Sequence, residues 1–285
     1  MLAYAHQGGA EEAPASTLYA IEHALSAGAD AIELDVHATA DGEIVVCHDA
    51  TLDATTDGTG PIAERTYAEI AHLDAAYHFI PGRGSVPGRP AGEYPLRHAA
   101  RRDERLRVPR LAEVLEATRG VPLNLDIKQT APRVRPYEAA LVALLRRHGR
   151  IEDVIVASFH EAAVARVGVL APEIAVSPQR RALRSFLLAQ RTRRRPPEFL
   201  SRYAAFQVPS HVRGIRLVTA GFVATAHEIG VAVHAWTVND PAEMDRLVGA
   251  GVDGIMTDRP SVLAARLAHL GAPRVPGSRA AGGGT

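Results

Sequence analysis

Short apolar runs alternate along this chain with longer segments whose apolar residues recur every three to four positions. The runs are "LAYAH" (2–6), "AIELDV" (31–36), "PLNLDIK" (122–128), "DVIVASF" (153–159), "EIAVSP" (173–178), "AAFQVPS" (204–210), "VAVHAWTV" (231–238) and "GIMTD" (254–258). Each has strand length, and several are apolar almost throughout, as expected for strands covered on both faces. Between them, "STLYAIEHALSAG" (16–28), "RLAEVLEATRG" (110–120), "YEAALVALLRRHG" (137–149), "TAGFVATAHEIG" (219–230) and "PAEMDRLVGAG" (241–251) end on glycine, the usual helix stop. Eight strand–helix units predict an α/β fold, a (β/α)8 TIM barrel. A doubly wound open sheet is the alternative. No glycine-rich dinucleotide fingerprint supports it, because "GRGSVPG" (82–88) has the wrong spacing and follows no strand.

One interval breaks the rhythm. "TADGEIVVCHD" (39–49) predicts a turn and an extra strand folding back on the second one. A Gly-, Pro- and Arg-rich stretch follows, with one helix expected near 66–74. Residues 37–108 therefore read as an insertion after the second strand, capping the barrel mouth. The expected domain is a single barrel over 1–270, with a disordered tail over 271–285.

Composition narrows the classes. Lys+Arg and Asp+Glu both number 32 in 285 residues, which argues against a generally basic nucleic-acid binder. Charge is local in "RRALRSFLLAQRTRRR" (180–195), read as an amphipathic surface helix, with contact to an anionic surface or phosphate as the second reading. The one cysteine, Cys47, lies in "IVVC" and reads as a small buried side chain. No apolar run is long enough for a membrane span, and no leader pattern precedes the first strand, so a cytoplasmic location is expected.

Polar residues then gather at the expected strand ends. His6 ends the first strand, and Glu33 and Asp35 end the second. Asp126 and Lys128 end the third, and His48 and Asp49 end the fold-back strand. A spacing of two puts Glu33 with Asp35, and Asp126 with Lys128, on one strand face. Three neighbouring carboxylates stay ionised together only beside a cation. Hard oxygen donors without clustered cysteine favour Mg2+ or Ca2+ over Zn2+. The two histidines then suit proton transfer near that ion, and Lys128 suits an anionic substrate.

These residues resemble the glycerophosphodiester phosphodiesterase family over about 3–263. The most specific string is "GADAIELDVHATADGEIVVCHDATLDATTDGTG" (28–60), joined in order by "HQGG" (6–9), "VPRLAEVLE" (108–116), "LNLDIK" (123–128), "ASF" (157–159), "AWTVN" (235–239) and "GVDGIMTDRP" (251–260). The resemblance implies metal-dependent hydrolysis of a small glycerophosphodiester to an alcohol and sn-glycerol 3-phosphate. It implies metal ligands Glu33, Asp35 and Asp126, acid/base residues His6 and His48, and substrate contacts from Gln7, Lys128 and Trp236. Gln7 stands where the family has arginine, Ala15 and Ser16 stand where it has glutamate and asparagine, and Asp126 stands where it has glutamate. Two other readings follow from these departures: a sphingomyelinase D-like lyase that stops at a cyclic phosphate, and a non-catalytic phosphodiester binder. Phe159, Tyr77, Phe79 and Tyr94 join Trp236 as candidate aromatics at the mouth.

Overall fold

A computed structural model of the chain describes residues 1–274; most of the tail expected over 271–285 thus lies outside the described residues. Eight parallel strands form the barrel: β1 Leu2–His6, β2 Ala31–Ala38, β3 Leu123–Ile127, β4 Val154–Ala157, β5 Ala175–Val176, β6 Ala205–Pro209, β7 Ala232–Trp236 and β8 Gly254–Thr257. A helix follows each: α1 Leu18–Ser26, α2 Leu111–Ala117, α3 Glu138–Arg147, α4 Glu161–Leu170, α5 Arg180–Arg191, α6 Ala220–His227, α7 Pro241–Ala250 and α8 Pro260–His269. The open-sheet alternative is excluded because β8 pairs with β1 and joins the two ends of the chain. Only the β5–β6 ladder is absent. There Ala204 N–H donates to the Val176 carbonyl at 3.4 Å, and Ser177 Oγ donates to the Ala205 carbonyl at 3.5 Å. The barrel is nearly closed.

Period-two alternation divides each strand between two environments. Ile32, Leu34 and Val36 of β2 and Leu123, Leu125 and Ile127 of β3 point outward against the helices. Phe206, Val233 and Ile255 do the same on the opposite side, where Phe186 of α5 and Phe222 of α6 pack on Phe206. The other strand faces fill the barrel: Tyr4, Ala31 and Met256 form a small cluster low in it, and Gln207 donates to Asn124 Oδ1 across it at 2.7 Å.

His234 belongs to this interior. Its ring lies 5.1 Å from that of Tyr4, its Nδ1 has no hydrogen-bond partner, and burial pushes its pKa down to about 4. The folded state therefore holds it neutral while the unfolded chain takes up a proton below the ordinary histidine pKa. The contribution of this one group is complete above about pH 6.5 and falls by about 3 kcal/mol as pH drops to 4. Denaturant titrations of the unaltered chain and His234→Leu at pH 7 and pH 4.5 isolate it: the unaltered chain is expected to lose stability relative to the variant by about this amount.

The insertion behaves as a satellite. Ile44–Val46 pairs antiparallel with β2, and Tyr67–Ile70 is helical behind a Thr66–Glu69 capping box. Val45, Cys47, Leu52, Ile62, Ile70 and Val108 make a small core of their own. Burial pushes the Cys47 thiol up to about 12, as expected for an inert packing residue. The insertion leans on the first β/α unit: Gly82 N–H donates to the Glu11 carbonyl at 2.7 Å, and Arg105 pairs with Glu22 of α1 at 2.5 Å. At the chain's end, the Pro273 carbonyl accepts from the Met1 ammonium at 2.7 Å and Arg274 pairs with Asp30 at 2.7 Å.

Candidate active site

Strand register sets the floor of the site. His6 lies beside Glu33, Glu33 beside Asn124, and Asp35 beside Asp126. Their side chains converge at the C-terminal ends of β1, β2 and β3, the face where barrels of this kind carry chemistry. A cavity of about 940 Å³ opens above them, and His6, Glu33, Asp126, Lys128, His48 and Trp236 all line it. Asp35 lies beneath, with no exposed surface.

Charge is balanced by close pairing. Lys128 Nζ lies 2.7 Å from Asp35 Oδ1 and 3.1 Å from Asp126 Oδ2. Burial works against the ammonium, but these two carboxylates outweigh it and hold Lys128 charged well above its ordinary range. Burial pushes the Glu33 carboxyl up, and neighbouring Asp126 adds to that, against the pull of His6 and Lys128. Asp35 is pushed up by burial and by Glu33. Asp35 Oδ2 shares with Asp126 Oδ1 the property of being buried with no hydrogen-bond partner among the described residues.

Both histidines are held by the same device. His6 Nδ1 lies 2.7 Å from Asp258 Oδ1, and His48 Nδ1 lies 2.8 Å from Asp49 Oδ1. A carboxylate on Nδ1 fixes the proton there and leaves Nε2 as the nitrogen that exchanges protons. His6 Nε2 stands 3.7 Å from Glu33 Oε2. Burial alone disfavours its charged form, but Glu33, Asp258 and Asp35 outweigh burial and lift His6 to about 9. Asp258 is itself clamped: Asn239 Nδ2 donates to its Oδ2 at 2.7 Å, and its backbone N–H donates to Asn239 Oδ1 at 2.9 Å. Burial opposes the Asp258 charge, yet His6 and Asn239 hold its carboxyl below the usual range.

Asp258 and Asn239 were not singled out by strand-end reasoning. Both lie in strings that matched the family, "AWTVN" and "GVDGIMTDRP", and closing the barrel puts the end of β8 beside His6. Gln7 occupies a different place from the one expected of a substrate contact. It is nearly buried and does not line the cavity; its backbone N–H donates to Glu33 Oε2 at 3.2 Å. Its φ of 52° is left-handed, and Gly8 and Gly9 follow at 79° and 93°. A Cβ on Gly8 would stand 2.9 Å from the Ala20 side chain, so "HQGG" is a tight turn that brings α1 against the strand end.

Of the candidate aromatics, Phe159 and Trp236 meet edge to face at 6.0 Å and line the cavity. Tyr77, Phe79 and Tyr94 do not: Tyr77 and Tyr94 flank the Arg97 guanidinium at 4.2 and 3.9 Å inside the insertion, and Phe79 is buried there. Among the lining residues, the insertion contributes only His48. The far wall comes instead from α5, through Leu183 and Leu187, and from a small hairpin pairing His211–Val212 with Ile215–Arg216.

Known proteins resemble this chain over most of its length. The pattern of the glycerophosphoryl diester phosphodiesterase family matches residues 6–262. A glycerophosphodiester phosphodiesterase of Caldanaerobacter subterraneus is 32% identical over 265 residues, covering 92% of this chain and 96% of its own. One from Bacillus subtilis is 31% identical, covering 92% and 85%. A crystal structure of the Agrobacterium tumefaciens enzyme superposes with a TM-score of 0.70 at 28% identity, covering 93% of this chain and 99% of that one. An Oleispira antarctica phosphodiesterase, solved with the product sn-glycerol 3-phosphate, superposes with a TM-score of 0.69 at 26% identity, covering 94% and 97%. With a matched pattern spanning nearly the whole barrel and relatives above 30% identity over most of both chains, this chain belongs to the glycerophosphoryl diester phosphodiesterase family.

Proposed function

We propose that this phosphodiesterase hydrolyses small glycerophosphodiesters to an alcohol and sn-glycerol 3-phosphate, with His6 and His48 exchanging protons and a divalent ion held by Glu33, Asp35 and Asp126. The observation that carries the reading is the pair of Asp-held imidazoles, His6–Asp258 and His48–Asp49, with His6 and His48 lining one cavity that Lys128, Glu33 and Asp126 line as well. Relatives named for this activity, and the neighbour bound to sn-glycerol 3-phosphate, support the substrate class.

The carboxylates fit a hard divalent ion. Two of their oxygens, on Asp35 and Asp126, are buried and unpartnered, which is costly unless a cation or donor meets them. Among the described residues no group of three acidic, histidine or cysteine side chains is already arranged to hold a metal ion, and Lys128 pairs with both Asp35 and Asp126, so an ion there would share these carboxylates with the ammonium. When bound, the ion would offset negative charge building up on the phosphoryl oxygens. Lys128, the lysine that reaches the cavity floor, binds and orients the phosphate.

The chemistry assigned to the protein is proton transfer. One imidazole Nε2 takes the proton of the substrate's own glycerol 2-hydroxyl as that oxygen bonds to phosphorus. The other gives a proton to the departing alcohol oxygen as its bond to phosphorus breaks. Water then opens the cyclic phosphate, returning both protons in reverse. Phe159 and Trp236 exclude water from the departing alcohol and present aromatic faces and edges to it.

Ion binding is tested by thermal unfolding. Ca2+ or Mg2+ at 100 times its Kd is expected to stabilise the unaltered chain by about 2.7 kcal/mol, a shift of several degrees. Asp126→Asn is expected to lose most of that shift, and a chelator to abolish release of sn-glycerol 3-phosphate. Equal stabilisation of both proteins would remove Asp126 from the ion site.

A further inference from the structure

The wall of the mouth built by α5 and the small hairpin has features that phosphodiester hydrolysis does not need. Between Ser177 and Leu217 the chain carries ten arginines and a single carboxylate, Glu198, although the whole chain has equal numbers of cationic and acidic residues. Arg180, Arg213 and Arg216 are exposed, line the mouth, and have no carboxylate partner among the described residues. Beside them apolar side chains of the hairpin face outward: Ile215 is 74% exposed and Val212 46%.

The hairpin is built to present them. Val212 pairs with Ile215 across a two-residue turn, Arg213–Gly214, with both φ values positive at 50° and 77°. Such a turn is the tight hairpin type, and a non-glycine residue in it carries a small conformational cost. Its base is anchored, because Leu217 N–H donates to the Ser210 carbonyl at 2.9 Å and Arg246 reaches the Val218 carbonyl at 2.8 Å. The tip makes no part of either large core. On α5, Leu188 is 63% exposed, whereas Ala182, Phe186 and Ala189 of the same helix are buried.

We propose that this rim docks the barrel mouth onto an anionic lipid bilayer. Arginines without partners complement anionic headgroups, and protruding aliphatic side chains between them enter the headgroup–acyl boundary. A nucleic acid or soluble polyanion would use the arginines but gain nothing from Ile215 and Val212. Docking is peripheral: no helix among the described residues is long and apolar enough to cross a membrane. It places the cavity against the membrane surface, and it goes beyond the hydrolytic reading without depending on it.

Cosedimentation of the whole chain with phosphatidylcholine vesicles, with and without one third phosphatidylglycerol, tests the proposal without any turnover. At least tenfold stronger partitioning onto the anionic vesicles is expected. Removing two arginines, by Arg213→Gln with Arg216→Gln, is expected to weaken it about 25-fold, near fivefold for each. Val212→Ser with Ile215→Ser is expected to weaken it at least tenfold at unchanged net charge. Equal partitioning onto neutral vesicles, or no partitioning at all, overturns the proposal. So does unaltered binding by the serine pair, which would mean a generic polyanion contact. If the serine pair fails to fold, Ile215→Cys carrying an environment-sensitive fluorophore replaces it, since the native Cys47 is buried. A blue shift on anionic vesicles supports insertion of the tip, and an unshifted spectrum overturns it.

Discussion

His6→Ala and His48→Ala are each expected to lower kcat/KM by about 10²- to 10⁴-fold, the usual worth of a positioned general acid or base. The double variant should fall little further than the worse single one, because the two imidazoles serve the same proton transfers. Kinetics on glycerophosphocholine reads this directly. His48 reaches the cavity from the fold-back strand, and its side chain is 42% exposed, so its truncation is expected to leave the unfolding midpoint within a degree or two. His6 is more enclosed, at 20% side-chain exposure, and its loss leaves Asp258 without its nearest cationic partner. Asp258→Asn separates position from protonation. It keeps a group of the same size beside Nδ1 but removes the charge that fixes the tautomer, so a fall in kcat with little change in KM is expected.

Lys128→Met is the second large effect. The ammonium touches two carboxylates, of which Asp35 has no exposed surface. Removing one partner of a buried ion pair costs about 3–5 kcal/mol, because the other charge stays buried and unpaired. Unfolding in chelator-containing buffer is expected to show that loss, reduced to the extent that the floor of the mouth admits water. Activity should fall with it, since the phosphate loses its fixed positive contact. Lys128→Arg is expected to restore charge but not geometry: a planar fork is bulkier than an ammonium and does not fit between Asp35 and Asp126 as a point charge. A Lys128→Met protein with unchanged unfolding free energy would show that Asp35 has another cation or is neutral.

The barrel itself was readable because its strands are nearly continuous apolar runs and its helices carry their own stop signals. "IELDV" also showed where the site lay, since two carboxylates on one face of an apolar strand need a reason to be there. Three things were not readable. Asp258 stands 252 positions from His6, and only the β8–β1 pairing brings them together. The length and composition of the insertion pointed to a cap over the mouth; of its residues only His48 lines the cavity, and much of the rest packs on α1 and on its own small core. The wall comes instead from α5 and the hairpin at 211–216, whose two-residue strands are too short to leave a periodic signature. At Gln7 the sequence suggested a side-chain contact to substrate; the backbone adds that its left-handed turn points its N–H at Glu33.

The central claim, that two Asp-held histidines on one cavity drive hydrolysis of a glycerophosphodiester, is tested most directly by phosphorus NMR. Glycerophosphocholine is incubated with a divalent ion and either the unaltered chain or His48→Ala. The unaltered chain should convert the diester signal to that of sn-glycerol 3-phosphate, while His48→Ala, folded to the same midpoint, should leave it in place. Formation of sn-glycerol 3-phosphate by His48→Ala at the unaltered rate, or a cyclic phosphate as the final product of the unaltered chain, would contradict the account.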